Sequence, residues 1–495
     1  MNTTDLRIRR VGVVMIVLFV ALFVNVNYLQ VVRAKALSND PNNRRYLIRT
    51  YGAPRGQILS SDRQVLARSE DTNDDFVRQR VYPATLLTSH VVGYLSALEG
   101  ATGLEDSQAH HLLGDDARTA SNLVDYFLGK PQPGAVRITI DTRVQDAARR
   151  ALGAQTGAVA ALNPKTGAVY ALWSNPSYDP NPIASHNFDA ARAAVKALDD
   201  GARPGVARAF QDTYPPGSTF KVVTAAAALQ NGITPEATYD NPPVLELPDS
   251  NVGLRNFGGG TCRADAGGRV SFRGGFVQSC NTTFAQIGLQ LGPDKMFQQA
   301  QAFGLNVPPP LEVSTAASVF PAPPGFEGAR SSLAQAAIGQ FDVRVTPLQM
   351  AMVAGAVANN GTLVRPYLVA EVFDGKGRQV SVTHPRPLAQ ALSPDNAKTL
   401  KDFMVAVVAG GTGTAGQIPN VTVGGKTGTA QHAEGQPPHA WFIAFAPAED
   451  PVVAVAVVVE NGGSLGSDAT GGQVAAPVAR EVMQAVLTLK PDAGG

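Results

Sequence analysis

The stretch Tyr214-Pro215-Pro216-Gly217-Ser218-Thr219-Phe220-Lys221 constrains this chain most, because a proline-glycine turn runs straight into the apolar helical stretch Val222 to Leu229. Ser218 and Lys221 are three residues apart at the start of a predicted helix, so both fall on one face and the lysine nitrogen can reach the hydroxyl. A serine attacks carbonyls well only when a neighbour takes its proton, and lysine can do so only when uncharged. From an ordinary value of about 10.4, that requires a depression of roughly 3 pKa units, about 4 kcal/mol, which burial and a second cation supply. The same spacing is common on solvated helix faces. Support has to come from elsewhere in the chain.

Two further motifs supply it. Gln278-Ser279-Cys280-Asn281 contains S-x-N, and Gly424-Gly425-Lys426-Thr427-Gly428-Thr429-Ala430 contains K-T-G on a predicted strand. This ordered set resembles that of serine penicillin-binding proteins and serine β-lactamases. Nearly the whole chain resembles a class B penicillin-binding protein of the penicillin-binding protein A group. The resemblance implies an α+β fold: an antiparallel sheet covered by helices, an all-helical subdomain, an N-terminal pedestal and a single membrane anchor.

The 495 residues, 44% hydrophobic and 16% charged, suffice for two or three globular domains. A net charge of +1 gives no reason to expect a nucleic-acid partner. Residues 1–33 read as a cytoplasmic tail and transmembrane anchor, with Arg7, Arg9 and Arg10 before the apolar run Val11 to Val24. Ala34-Lys35-Ala36 has the pattern of a signal-peptidase site, but it lies well beyond that run, and an uncleaved anchor is expected. Arg33, Lys35, Arg44, Arg45 and Arg49 outnumber the arginines before the segment, which is weak evidence against a cytoplasmic N-terminus because long domains translocate regardless of such charge.

Residues 34–135 form the expected pedestal, resembling a dimerisation domain through Pro54-Arg55-Gly56, Arg80-Val81-Tyr82-Pro83, Val91-Val92-Gly93-Tyr94 and Thr102-Gly103-Leu104-Glu105. Arg55 and Glu105 read as a structural ion pair, and His110-His111 as a solvated pair. The catalytic domain is expected over 136–491, opening with the alternating strand Val136 to Ile140 and a hairpin around Asn163 to Gly167. Asn175 to Pro204 reads as a loop toward the site, and Pro308 to Gly325 as a surface excursion. Gly410 to Gly416 lacks a G-K-[ST] ending and reads as a loop beside the K-T-G strand.

Ser279 and Asn281, if extended, would point together toward a cleft; alternatively either caps the following helix. Thr427 and Thr429 share a strand face suited to a carboxylate, and Gly428 is expected to leave that edge open to an extended peptide. Cys262 and Cys280 are too few for a disulfide framework and lie far from any histidine cluster, so no metal or cofactor is expected. Cys280 is either a small buried thiol or, outside the cytoplasm, half of a Cys262–Cys280 bridge, toward which the reading leans.

The resemblance implies a peptidoglycan D,D-transpeptidase that crosslinks stem peptides through a Ser218 acyl-enzyme. It makes Lys221 the general base, Ser279 a proton relay and Asn281 an orienting group. Lys426, Thr427, Gly428 and Thr429 face the substrate, and the backbone N–H groups of Ser218 and Thr429 form the oxyanion hole. β-Lactams become covalent inhibitors, and a D,D-carboxypeptidase side activity is compatible. The implied setting is the cell membrane, single-pass, with an extracytoplasmic catalytic domain and a SEDS-family glycan polymerase as partner. Three alternatives are weighed: a serine β-lactamase, a membrane-bound β-lactam sensor and a non-catalytic scaffold. No glutamate starts the E-x-x-L-N element one lactamase class uses, and the three intact motifs argue against lost chemistry.

Overall fold

The computed structural model describes residues 3–33, 48, 51–114, 132–265 and 267–489. Its contacts separate Met1–Pro54 with Ser69–Gln79 from Arg55–Arg68 with Arg80–Gly495. In the first unit, a helix over Thr3–Asn27 continues as a π-helical turn over Tyr28–Val32. Arg9–Val32 has a mean hydropathy of 2.3 and is not covered by protein. An exposed apolar span of that length matches a bilayer's hydrocarbon core. Ala34-Lys35-Ala36 and the basic residues that follow it lie outside the described residues, as does the expected domain end at 491.

In the second unit, the four pedestal segments converge. Glu105 is fully buried and accepts from Arg55 Nε at 2.6 Å and Arg80 Nε at 2.5 Å. Tyr82 Oη accepts from Leu95 N at 2.6 Å. The strand Ala135–Ile138 buries Val136 and Ile138, as its alternation predicts. It pairs in parallel with Ile58–Leu59 and antiparallel with Val369–Phe373. The boundary expected at residue 136 therefore falls inside a sheet built from both sides of it.

Five antiparallel strands make the catalytic sheet: β1 (Gly157–Leu162), β2 (Val169–Asn175), β3 (Gly424–Ala430), β4 (His439–Ala446) and β5 (Val453–Val459), in the order β3-β4-β5-β1-β2. Period-two alternation divides β4 between two cores. Trp441, Ile443 and Phe445 face one and Ala440, Phe442 and Ala444 the other.

The helices that position the site are α1 (Thr142–Leu152), α2 (Lys221–Gln230), α3 (Phe272–Gln278), α4 (Asn281–Ala302), α5 (Pro347–Ala358), α6 (Pro394–Gly410) and α7 (Gly471–Leu487). α5 lies in the first core with all its residues buried, and α1 and α7 cover the opposite face. Thr346 caps α5 by accepting from Gln349 N at 3.0 Å, with Pro347 at the first helical position. α2, α3, α4 and α6 form the helical part: contacts among Phe272, Phe276, Phe284 and Phe403 join the last three, and α2 packs on α4 and α6. Each such buried ring contributes about 2–3 kcal/mol.

Two loop expectations are refined. Asn175 to Pro204 contains the helix Phe188–Lys196, capped by Asn187, and none of its residues lines either of the two cavities that Ser218 lines. Asn181 instead binds the backbone of Tyr82 at 2.8 and 3.0 Å, and Ser177 Oγ lies 2.9 Å from Ser89 Oγ. Pro308 to Gly325 is exposed or half-buried along most of its length, but it is anchored inward by Phe320, which is buried and stacks on Phe220 at 5.5 Å behind the Ser218 turn. In both, exposed-looking composition hides one or two side chains with internal partners.

Candidate active site

Ser218 lies in a 3₁₀ turn over Gly217–Phe220 that leads into α2. The turn is held from several directions: Gly217 N donates to Gly339 O at 2.9 Å, and the Trp441 indole donates to Pro215 O at 3.0 Å. Just before it, Tyr214 Oη donates to Glu460 Oε1 at 2.8 Å, and Arg208 Nε donates to the same oxygen at 2.8 Å. Gly217 has φ of +53°, and a Cβ there would stand 2.7 Å from Thr429 O, so the position requires glycine. Gly428 meets similar crowding, since a Cβ there would stand 2.8 Å from Pro216 O and 2.9 Å from Thr219 Cγ2. Packing of the Ser218 turn on Gly428 thus requires glycine there by itself, beside the open edge expected for a ligand.

Lys221 is fully buried. Its Nζ donates to Ser279 O at 2.7 Å and Asn281 Oδ1 at 2.7 Å, with Ser279 Oγ at 3.4 Å. The expected reach toward Ser218 is therefore not the contact this structure holds: a buried lysine nitrogen turns its N–H donors to the nearest acceptors, the Ser279 carbonyl and the Asn281 amide oxygen. Lys426, also fully buried, donates from the opposite side to Ser279 Oγ at 2.8 Å and Thr427 O at 3.0 Å. Burial first, and then the neighbouring Lys426 cation, hold Lys221 well below its ordinary range. Burial alone takes Lys426 down to about 7. Two lysines thus converge on one serine hydroxyl in a site that favours their uncharged forms.

The S-x-N segment joins two helices, where an extended loop was expected. Ser279 ends α3 in the left-handed region at φ 63°, and Asn281 starts α4. That bend sends the Ser279 carbonyl and the Asn281 amide to the same lysine. Neither side chain caps α4. Cys262 and Cys280 are disulfide-bonded, tying the loop before α3 to the N-cap of α4.

Ser218, Ser279, Asn281, Thr427, Gly428 and Thr429 line a cavity of about 500 Å³. Thr412 Oγ1 and Thr427 Oγ1 lie 2.6 Å apart, which places the Gly410 to Gly416 loop beside β3. A second lobe of about 630 Å³ shares Ser218, Asn256, Phe257, Asn281 and Thr429. β3 is an edge strand of its sheet, so the cleft runs beside unpaired backbone. No group of three or more His, Cys, Asp or Glu side chains able to hold a metal occurs among the described residues.

The site also uses residues that the sequence does not single out. Asn256, Thr412, Trp441 and the Arg208–Glu460 pair reach it from distant segments and carry no local motif. Only Thr412, in a glycine-rich loop shortly before K-T-G, had a signal in its neighbourhood.

Residues 157–484 match the penicillin binding protein transpeptidase domain, and residues 55–136 the penicillin binding protein A dimerisation domain. The chain is 44% identical to peptidoglycan D,D-transpeptidase PbpA of Mycolicibacterium smegmatis, covering 98% of this chain and 99% of that relative. Its identity to the PbpA of Mycobacterium tuberculosis is 42%, with the same coverage. Among solved structures, the ceftriaxone acyl-enzyme complex of penicillin-binding protein A from M. tuberculosis superposes with a TM-score of 0.83 at 41% identity, covering 89% of this chain and 100% of that one. The penicillin G acyl-enzyme complex gives 0.81 at 42% identity, covering 88% and 100%.

Proposed function

As a member of the class B penicillin-binding proteins the chain is a peptidoglycan D,D-transpeptidase, and we propose that Ser218 is its nucleophile and Lys221 the base that activates it. The observation that carries this reading is the convergence of two buried lysines on Ser279 Oγ in the wall of the cleft that Ser218 lines. An uncharged lysine amine has two N–H donors and one lone pair. The two donors match the Ser279 carbonyl and the Asn281 amide oxygen, each at 2.7 Å, which leaves the lone pair for the Ser218 proton.

Ser218 Oγ attacks the carbonyl between the two terminal D-alanines of a stem peptide, and its proton passes to Lys221. The oxyanion is held by the backbone N–H groups of Ser218 and Thr429. Ser218 is the second residue of its helical turn, so its N–H has no intrahelical acceptor. Each such donor contributes about 3–4 kcal/mol. Lys426, Thr427 and Thr429 receive the terminal carboxylate, and Ser279 relays the proton to the departing D-alanine amine as the C–N bond breaks. An amine from a second stem then attacks the Ser218 ester, forming the crosslink and returning the proton to Ser218. β-Lactams enter by the same first step and stay as esters.

The apolar Arg9–Val32 helix supports a single-pass membrane anchor. The Cys262–Cys280 bridge supports an extracytoplasmic catalytic domain, since disulfides persist in oxidising compartments. A SEDS-family glycan polymerase is the partner this arrangement suits, through anchor and pedestal.

Labelling with a fluorescent penicillin tests the nucleophile: wild type should retain label and Ser218→Ala should take none. Label persisting in the variant would refute Ser218.

A further inference from the structure

α4 begins without a side-chain cap of its own. Its N-cap residue is Cys280, whose sulfur is committed to Cys262, and no side-chain cap bond forms there. The first N–H groups of a helix need acceptors from outside it. Here they find one on a separate loop. Asn256 Oδ1 accepts from Asn281 N at 2.8 Å and Thr282 N at 3.2 Å, with Thr282 Oγ1 at 3.4 Å. Asn256 Nδ2 in turn donates to Gly260 O at 3.2 Å.

The neighbouring carbonyl completes the arrangement. Asn281 Nδ2 donates to Arg255 O at 2.9 Å, so the other end of that amide, Oδ1, faces Lys221 at 2.7 Å. Loop residues 255 and 256 therefore set both the backbone of Asn281 and the sense of its amide. Asn256 also lines both lobes of the cleft.

We propose that Asn256 is a positioning residue for catalysis, capping α4 from outside the helix and thereby aiming the Asn281 amide at Lys221. This rests on Lys221 being the base for Ser218. The charged group facing Lys221 is Lys426 on β3, and Ser279 and Asn281 beside it are uncharged. The charged side chains lining the two lobes are Arg255 and Arg263, both exposed. A carboxylate at position 256 would thus join a cleft lining whose charged side chains, among the described residues, are arginines, with Asp265 beside Arg263, and would stand one side chain removed from Lys221.

The test measures fluorescent-penicillin acylation rates of the full-length protein from pH 6 to 10 for wild type, Asn256→Ala, Asn256→Ser and Asn256→Asp. Asn256→Ala should acylate about tenfold more slowly at every pH. Asn256→Ser keeps an uncharged acceptor and should recover most of the rate with the wild-type pH profile. Asn256→Asp keeps the cap and adds a negative charge that favours the Lys221 cation, so its acid limb should move up by about 0.5–1 pH unit while the high-pH rate approaches wild type. Equal slowing of Asp and Ala with no movement of the limb would overturn the inference, as would a wild-type rate in Asn256→Ala. If the alanine variant fails to fold, the Ser and Asp profiles decide. Label surviving in Ser218→Ala would count against the nucleophile instead.

Discussion

Two clusters in this molecule bury charge in opposite ways. In the pedestal, one fully buried carboxylate, Glu105, sits between two guanidiniums, Arg55 and Arg80, at 2.6 and 2.5 Å. In the cleft, two buried lysines face one neutral hydroxyl, and among the described residues no carboxylate lines either lobe. The first arrangement compensates its charges and holds chain segments together. The second leaves them uncompensated, and each lysine responds by favouring its neutral form. Burial that serves architecture in one place would, in the proposed mechanism, serve proton transfer in the other, and the presence of an opposite charge distinguishes the two.

The comparison breaks most visibly at the lysines. If Lys221 is the base for Ser218, as proposed, Lys221→Met should lower penicillin acylation by about 10³-fold, measured as a second-order labelling rate. The same substitution chemistry at Lys426 should stabilise the fold. Burial takes Lys426 down to about 7 in the folded protein from an ordinary 10.5, so between those values the unfolded chain binds more protons. Stability therefore rises with pH across that window, and the full penalty of the buried cation stands below pH 7. Lys426→Met should remove the penalty, raising stability at pH 6 by about 1–4 kcal/mol and flattening its rise toward pH 10. Unchanged urea midpoints in Lys426→Met at pH 6 would mean the lysines are not held against their charge.

At the pedestal the sign reverses. Glu105→Ala removes the carboxylate that two buried guanidiniums share and should destabilise the protein by about 3–5 kcal/mol in urea unfolding. Its acylation rate should stay within about twofold of wild type under conditions where it remains folded. A large loss of acylation in the folded variant would show that the pedestal cluster is coupled to the chemistry.

The two clusters also differ in how much of them can be read from the chain. Arg55, Arg80 and Glu105 are separated by up to 50 positions, and only their place in recurring segments marks them; nothing local says that both arginines share one carboxylate. Ser218 and Lys221 are legible because proton transfer needs them one helical turn apart, and Thr427 and Thr429 because a strand repeats every two residues. The left-handed bend at Ser279 was not legible, since it follows from α3 ending where α4 begins. Asn256 was invisible for a related reason: its role exists only once a loop 25 residues upstream meets Asn281. The strand Ala135–Ile138 was readable as a strand but not as a member of the pedestal sheet, because its partners lie both before it and far after it.

The smallest effect concerns the Cys262–Cys280 bridge, which sharpens the contrast because it reinforces the cleft without touching a charge. Cys280 lies between Ser279 and Asn281, so the bridge ties the two groups that hold Lys221 to the loop carrying Asn256. For a sequence separation of 18 residues, its loss should release about 2–3 kcal/mol of constraint on the unfolded chain. The Asn256 cap and the Lys221 contacts remain, so geometry should loosen rather than collapse. Cys262→Ala with Cys280→Ala should therefore lower the unfolding midpoint and slow acylation about two- to fivefold, with the pH of the acid limb unmoved. A displaced acid limb would show that the bridge helps keep Lys221 uncharged, and the division between architectural and chemical burial would then have to be redrawn to include it.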